Sequence, residues 1–199
     1  MKKMLLATGN SGKLREIKEM LAGSGIQILP QALLGVHEIA ESGANFLENA
    51  LIKARHAARQ TGMDVIADDS GLEVDALRGA PGVYSARYAG PHASDADNLS
   101  KLLRDLVSVP MAQRTARFRC VLVCVRGAND PAPLICEGVW EGCILDAPRG
   151  NNGFGYDPVF LPAEQACSAA ELAPADKNRL SHRGQALRRL VAQLTCASG

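Results

Sequence analysis

The sequence predicts an α/β protein, on three observations. Short apolar segments alternate with segments of helical periodicity, one apolar segment runs through a glycine-containing turn into a helix, and no repeat or low-complexity stretch interrupts the alternation. The chain has 199 residues, against roughly 150 for an average domain. Residues 1–199 are therefore expected to form one domain. With 47% hydrophobic and 22% charged residues, the chain has material for a core, which excludes general disorder.

The elements follow in order. Met4 to Ala7 reads as a short buried strand, Thr8-Gly9-Asn10-Ser11-Gly12 as a turn, and Lys13 to Leu21 as a helix with Leu14, Ile17 and Leu21 on one face. Asn45, followed three residues later by Glu48, resembles a capping box. It opens a second helix whose stripe of Leu47, Leu51, Ala54 and Ala58 runs to the break at Thr61-Gly62. Met63 to Ala67 reads as a buried strand ending in Asp68-Asp69-Ser70-Gly71, so two carboxylates stand at a strand end, where ligands of α/β sheets gather. After a loop at Gly79-Ala80-Pro81-Gly82, Leu99, Leu102, Leu103 and Leu106 mark a third helix. Phe118 to Val125 is a long strand and Ile135 to Leu145 its return. The Gly150–Pro158 segment is a loop, Ser168-x-x-Glu171 a second capping box, and Ser181 starts a last helix carrying Leu187, Leu190, Val191 and Leu194.

Charge narrows the function. Twenty-two Lys and Arg against 21 Asp and Glu leave +1. That balance lacks the electrostatic footprint of a protein gripping long nucleic acid, so an anionic partner is expected to be small and locally held. No apolar run approaches the roughly 20 residues of a membrane span. The apolar stretch after Lys2-Lys3 stops at Thr8, too early for a secretory signal, and a cytoplasmic location with no membrane partner is expected. Six cysteines form no Cys-x-x-Cys pair and are read as buried reduced thiols rather than a zinc site or disulfide frame.

Four segments could carry chemistry, and each has a plainer alternative. The turn from Thr8 to Lys13 offers backbone N–H groups, a helix N-terminus and the Lys13 ammonium to a phosphate; taken alone, such a turn is more often an ordinary helix cap. It is not a Walker A loop, because Ala7 and Leu14 stand where that motif needs Gly and Ser or Thr. Adjacent Asp68 and Asp69 raise each other's pKa, a strain that a hard divalent cation relieves, or else they are a solvated turn. Successive strand residues face opposite ways, so one of the two is expected to aim into a given site. The acid Glu41, on a loop, reads by itself as a surface charge. The glycine-rich loop can stack a planar ring on Phe154 or Tyr156, or use both to cover the core. Ser181-His182-Arg183 places cations at a helix start, where the macrodipole opposes them, and function is the better reason for them. Both side chains, with Lys177 just upstream, suit a carbonyl or phosphate oxygen. His37, His56 and His92 have no such company.

Together the segments resemble the inosine triphosphate pyrophosphatase family over nearly the whole chain. The resemblance rests on Ala7-Thr8-Gly9-Asn10-Ser11-Gly12-Lys13-Leu14-Arg15-Glu16, Phe46-x-Glu48-Asn49-Ala50-x-x-Lys53-Ala54 and Asp68-Asp69-Ser70-Gly71-Leu72-x-Val74-Asp75-Ala76-Leu77. Gly79 to Tyr88, Gly153-Phe154-Gly155-Tyr156-Asp157-Pro158 and Ser181 to Leu187 complete it. It implies a long mixed central sheet flanked by helices, in two lobes with the nucleotide cleft between them, and a homodimer. It implies hydrolysis of ITP, dITP and XTP to the monophosphate and pyrophosphate. Thr8, Gly9, Asn10, Ser11, Gly12 and Lys13 would hold the triphosphate, with Lys53 a second cation for it. Asp69 would be general base and Mg²⁺ ligand, Glu41 the second acid on the metal, with Mn²⁺ a possible substitute. Ser70 would touch substrate beside the metal. Phe154, Gly155, Tyr156, Asp157, Lys177, His182 and Arg183 would form the base pocket. Asn45 and Asn151-Asn152 depart from the family pattern at a helix entry and in the loop. Two other readings stand beside this one: a pyrophosphatase of modified pyrimidine triphosphates, and a module that binds a triphosphate without cleaving it.

Overall fold

The computed structural model describes residues 2–196. Its strands are β1 (Lys2–Ala7), β2 (Ile26–Pro30), β3 (Val65–Val74), β4 (Thr115–Val125), β5 (Leu134–Ile144) and β6 (Phe160–Pro162). The helices are α1 (Ser11–Met20), α2 (Phe46–Thr61), α3 (Asp95–Asp105), α4 (Pro174–Leu180) and α5 (His182–Cys196). One mixed sheet runs in the order β2-β1-β3-β4-β5-β6. The pairs β1–β2 and β1–β3 are parallel and β5–β6 is antiparallel. The α/β expectation and the mixed sheet both hold.

The chain divides into two compact units: Met1–Asp69 with Cys120–Gly138 and Arg183–Gly199, and Ser70–Arg119 with Val139–His182. In the first, Met4, Leu6, Ile17, Ile28, Ile66, Leu122 and Leu187 pack as one apolar core. Cys120, Cys124 and Cys136 lie in that core and, with Cys143 and Cys167 of the second unit, are free thiols. In the second unit, Leu72, Leu102, Phe118, Trp140, Tyr156 and Phe160 form the core. No helix among the described residues is long and apolar enough to cross a membrane.

Local chemistry accounts for the helix ends. Asn10 caps α1, its side chain accepting from the Lys13 N–H at 2.9 Å. Asn45 caps α2 by accepting from the Glu48 N–H, while the Glu48 carboxylate accepts from the Ala44 N–H at 2.8 Å. That helix ends at Gly62 with φ 66°, a left-handed conformation that glycine adopts without cost.

Three expectations need correction. The third strand does not end at Ala67: β3 continues to Val74, because Leu72 and Val74 are buried on either side of half-buried Glu73 and the alternation outlasts Ser70-Gly71. The two acids therefore lie inside a strand. They follow directly on the register of β1, whose last residue Ala7 pairs with Ala67 before the chain turns at Thr8. The Ser168-x-x-Glu171 pair closes a turn, with the Ser168 hydroxyl donating to the Arg149 carbonyl at 2.7 Å, and the following helix begins at Pro174. Finally, β4 begins at Thr115, since Ala116 and Phe118 already alternate with Thr115, Arg117 and Arg119.

Candidate functional site

In the first unit, Asp68 and Asp69 point to different partners, as strand alternation requires. Asp68 is fully buried. It is ion-paired to Lys13 and to Arg183, whose Nε lies 3.3 Å away, and it accepts from the Cys120 thiol at 3.2 Å. Arg183 is itself 2% exposed and pairs through Nη1 with Glu16 of α1 at 2.5 Å. Burial alone would raise the Asp68 carboxyl, but Lys13 and Arg183 outweigh it and hold this group well below the ordinary carboxylate range. The same two carboxylates answer the question raised by a cation at the start of α5. Glu16 and Asp68 neutralise Arg183, so its place has a structural reason that spacing did not reveal.

Asp69 faces α2. Its Oδ1 lies 2.8 Å from the Lys53 ammonium and its Oδ2 accepts from the Asn49 amide at 3.3 Å. Lys53 also holds Glu41, again at 2.8 Å, so one ammonium bridges the two carboxylates. Burial pushes the Asp69 carboxyl up, and Lys53 and Lys13 do not fully cancel that effect. For Lys53, burial works to lower the pKa, but Asp69 and Glu41 prevail and it is raised. Ser70, the next residue along β3, is half-buried.

The turn before α1 spends side chains on its own shape. Thr8 Oγ1 accepts from the Asn10 N–H at 3.2 Å, and a Cβ on Gly9 would collide with the Glu38 carboxylate. Gly9, Asn10 and Ser11 are exposed, Gly12 is buried, and Lys13 is turned onto Asp68.

In the second unit the loop after β5 is held by carboxylates. Buried Asp157 accepts from the Phe154 N–H at 2.8 Å and pairs with the buried Lys177 ammonium at 2.5 Å. That ammonium lies 4.9 Å from the Phe154 ring centre, a cation–π contact. Asp95, at the start of α3, accepts from the Gly155 N–H at 2.8 Å. Tyr156 is 4% exposed and its hydroxyl donates to the Ser85 carbonyl at 2.8 Å, so this aromatic covers the core. Phe154 is half-buried, in contrast to Tyr156. His182 is buried and stacks on Phe118, with ring centres 4.8 Å apart.

Glu16, Asn49 and Asp95 carry these clusters without having been singled out as site residues. The spacing marked none of them, and Asn49 falls opposite the predicted stripe of Leu47, Leu51, Ala54 and Ala58.

Fold and clusters define an α/β protein that sets two carboxylates and two lysines where its first and third strands leave their shared register. Comparison with known proteins narrows the class. The Ham1 family model matches residues 4–193. A dITP/XTP pyrophosphatase of Vibrio parahaemolyticus is 60% identical over 195 residues, covering 98% of each chain. One from Methylococcus capsulatus is 59% identical over 198 residues, covering 100% of this chain and 98% of its own. A HAM1 protein structure from Coxiella burnetii superposes with a TM-score of 0.90 at 52% identity, over 98% of this chain and 99% of its own. The chain belongs to the Ham1 family.

Proposed function

We propose that this protein hydrolyses non-standard purine nucleoside triphosphates (dITP, ITP and XTP) to the monophosphate and pyrophosphate, clearing them from the nucleotide pool before they enter DNA or RNA. The observation that carries the reading is the Lys53 ammonium bridging Glu41 and Asp69. A cation already occupies the space between two carboxylates, one of them nearly buried. That donor set suits Mg²⁺, which takes one or two carboxylates and completes its shell with water and substrate phosphates. Mn²⁺ has the same oxygen preference. Glu41 and Asp69 would hold the metal, and it would supply charge neutralisation on the triphosphate and a more acidic attacking water.

The chain's own residues do the rest. Asp69 accepts the proton of the attacking water. Lys13 and Lys53 meet the phosphates, and the leaving pyrophosphate is stabilised by them and by the N–H groups of Gly9, Ser11 and Gly12, in the turn that Thr8 and Asn10 shape before α1. Ser70 contacts the substrate beside Asp69. Asp68 orients Lys13. In the second unit, Phe154 stacks on the base while Asp157 and Lys177 set its edge, with Gly155, Tyr156 and His182 shaping the same loop. His182 donates to the 6-keto oxygen that hypoxanthine and xanthine share, and Arg183, held by Glu16 and Asp68, fixes the start of the helix that carries it. Adenine presents an amino group there and leaves such donors unpaired, at a cost of about 1–3 kcal/mol each.

The enzyme works as one domain over residues 1–199, as a homodimer in the cytoplasm, on a small-molecule substrate and without nucleic acid. Asp69→Asn tests the reading. The carboxamide fills the same space but accepts no proton, so turnover is expected to fall at least ~10²-fold with nucleotide binding largely kept. Pyrophosphate release at the wild-type rate would remove Asp69 from the base role.

A further inference from the structure

Asn49 is the one fully buried neutral amide beside the acid cluster among the described residues, and both ends of its side chain are committed. Its Nδ2 donates to Asp69 Oδ2 at 3.3 Å, and its Oδ1 accepts from the Gly43 N–H at 2.8 Å. Gly43 stands two residues after Glu41 and is pressed against the first turn of α2. A Cβ there would come within 2.6 Å of Glu48 Cβ and 2.7 Å of Asn49 Oδ1. Glu48 in turn accepts from the Ala44 N–H at 2.8 Å. The loop carrying Glu41 is thus tied to α2 at successive backbone groups, and the residue making the Gly43 tie also holds the Asp69 carboxylate.

We propose that Asn49 is a positioning residue that fixes Glu41 and Asp69 relative to each other and so sets metal affinity. The proposal rests on the reading of those two acids as metal ligands given above. Lys53 cannot supply this function. Its ammonium contacts both carboxylates directly and is on the end of a flexible stem, whereas the short Asn49 side chain leaves the fixed backbone of α2 with two rotatable bonds. Asn suits the task because one planar group carries both a donor and an acceptor. Aspartate keeps the acceptor for Gly43 and turns a second negative oxygen on Asp69; alanine removes both contacts. Partners that orient metal-ligating carboxylates commonly govern affinity tenfold to a hundredfold.

The test compares wild type, Asn49→Ala and Asn49→Asp by Mn²⁺ titration. Free Mn²⁺ is followed by electron paramagnetic resonance with the α,β-methylene analogue of inosine triphosphate bound, and steady-state kinetics are measured at varied Mg²⁺. The expected result is a Mn²⁺ dissociation constant and a Mg²⁺ midpoint both raised about tenfold or more, with the nucleotide KM at saturating metal within about twofold of wild type. Asn49→Asp, which keeps the loop contact, decides the matter if Asn49→Ala does not fold. Variants that melt earlier yet titrate Mn²⁺ as wild type does would show a structural role only and overturn the proposal. If wild type itself releases no pyrophosphate from any triphosphate, the functional reading fails instead. If Asp69→Asn loses turnover while both Asn49 variants keep the wild-type Mn²⁺ curve, only the Asn49 assignment falls.

Discussion

Replacing Asp68 by alanine removes the acid that Lys13 and Arg183 share, and the structure sets the size of the effect. The carboxylate is fully buried, and the side chains of Lys13 and Arg183 are 14% and 2% exposed. Breaking a buried ion pair from one side costs about 3–5 kcal/mol, because the remaining charge has no water to turn to. Glu16 continues to neutralise Arg183 at 2.5 Å, so the uncompensated charge is mainly that of Lys13 and the expected loss is at the lower end, about 3 kcal/mol. For a chain of this length 1 kcal/mol moves Tm by roughly 2–4 °C, which predicts a fall of about 6–12 °C by circular dichroism or calorimetry. The difference from wild type should barely respond to salt, because burial protects the pairs from screening. A fall below about 2 °C, or one that vanishes in 1 M salt, would show these pairs to behave as surface contacts and would refute the reasoning.

Three further outcomes follow from the same geometry. Because burial raises the Asp69 carboxyl of the metal-free protein above its ordinary 3.8, it takes up its proton at a pH higher than an exposed aspartate would require. A carboxyl-carbon NMR titration of the metal-free protein should therefore place the Asp69 midpoint above that value, and a midpoint at or below 3.8 would contradict the burial of this acid. The Asp68 shift has the opposite sign. Its folded pKa lies below the unfolded value, so its contribution to stability is complete above about pH 5 and is lost as pH falls through the ordinary aspartate range toward the folded value; acid melts of wild type should lose more stability there than those of Asp68→Ala. Tyr156→Phe removes the bond to the Ser85 carbonyl and should cost about 1–2 kcal/mol by urea unfolding while leaving the preference between ITP and ATP unchanged; a changed preference would return Tyr156 to the base pocket.

What could be read from the sequence was what neighbours along the chain decide. The spacing of Leu14, Ile17 and Leu21 marked α1, and the Asn45–Glu48 pair marked the start of α2 to the residue. Local signals also misled. Ser70-Gly71 looked like a turn because those residues favour one, yet the hydrophobic alternation carried β3 through them to Val74. Strand β2 passed unseen because Pro30 closes a five-residue segment at the sheet edge, where a missing N–H costs nothing. Ser168 and Glu171 have the spacing of a helix start, but the Ser168 hydroxyl is taken by Arg149, nineteen residues away.

The candidate site divides along the same line. Asp68, Asp69 and the two lysines stood out as residue types, whereas their pairing depends on contacts between distant segments. Arg183 meets Asp68 across 115 residues and Glu16 across 167, and no pattern of spacing encodes either contact. The ion pair between Asp157 and Lys177 spans 20 residues and fixes Phe154, which is why the loop's composition alone could not tell the half-buried ring from the core ring.

The central claim is the reaction, and pyrophosphate release measures it directly. With Mg²⁺ at mildly alkaline pH, ITP, dITP and XTP are assayed beside ATP, GTP and modified pyrimidine triphosphates. Strong release from the first three, and little from the others, is the predicted result. Release that favours the pyrimidines, or none from any triphosphate despite binding, would contradict it.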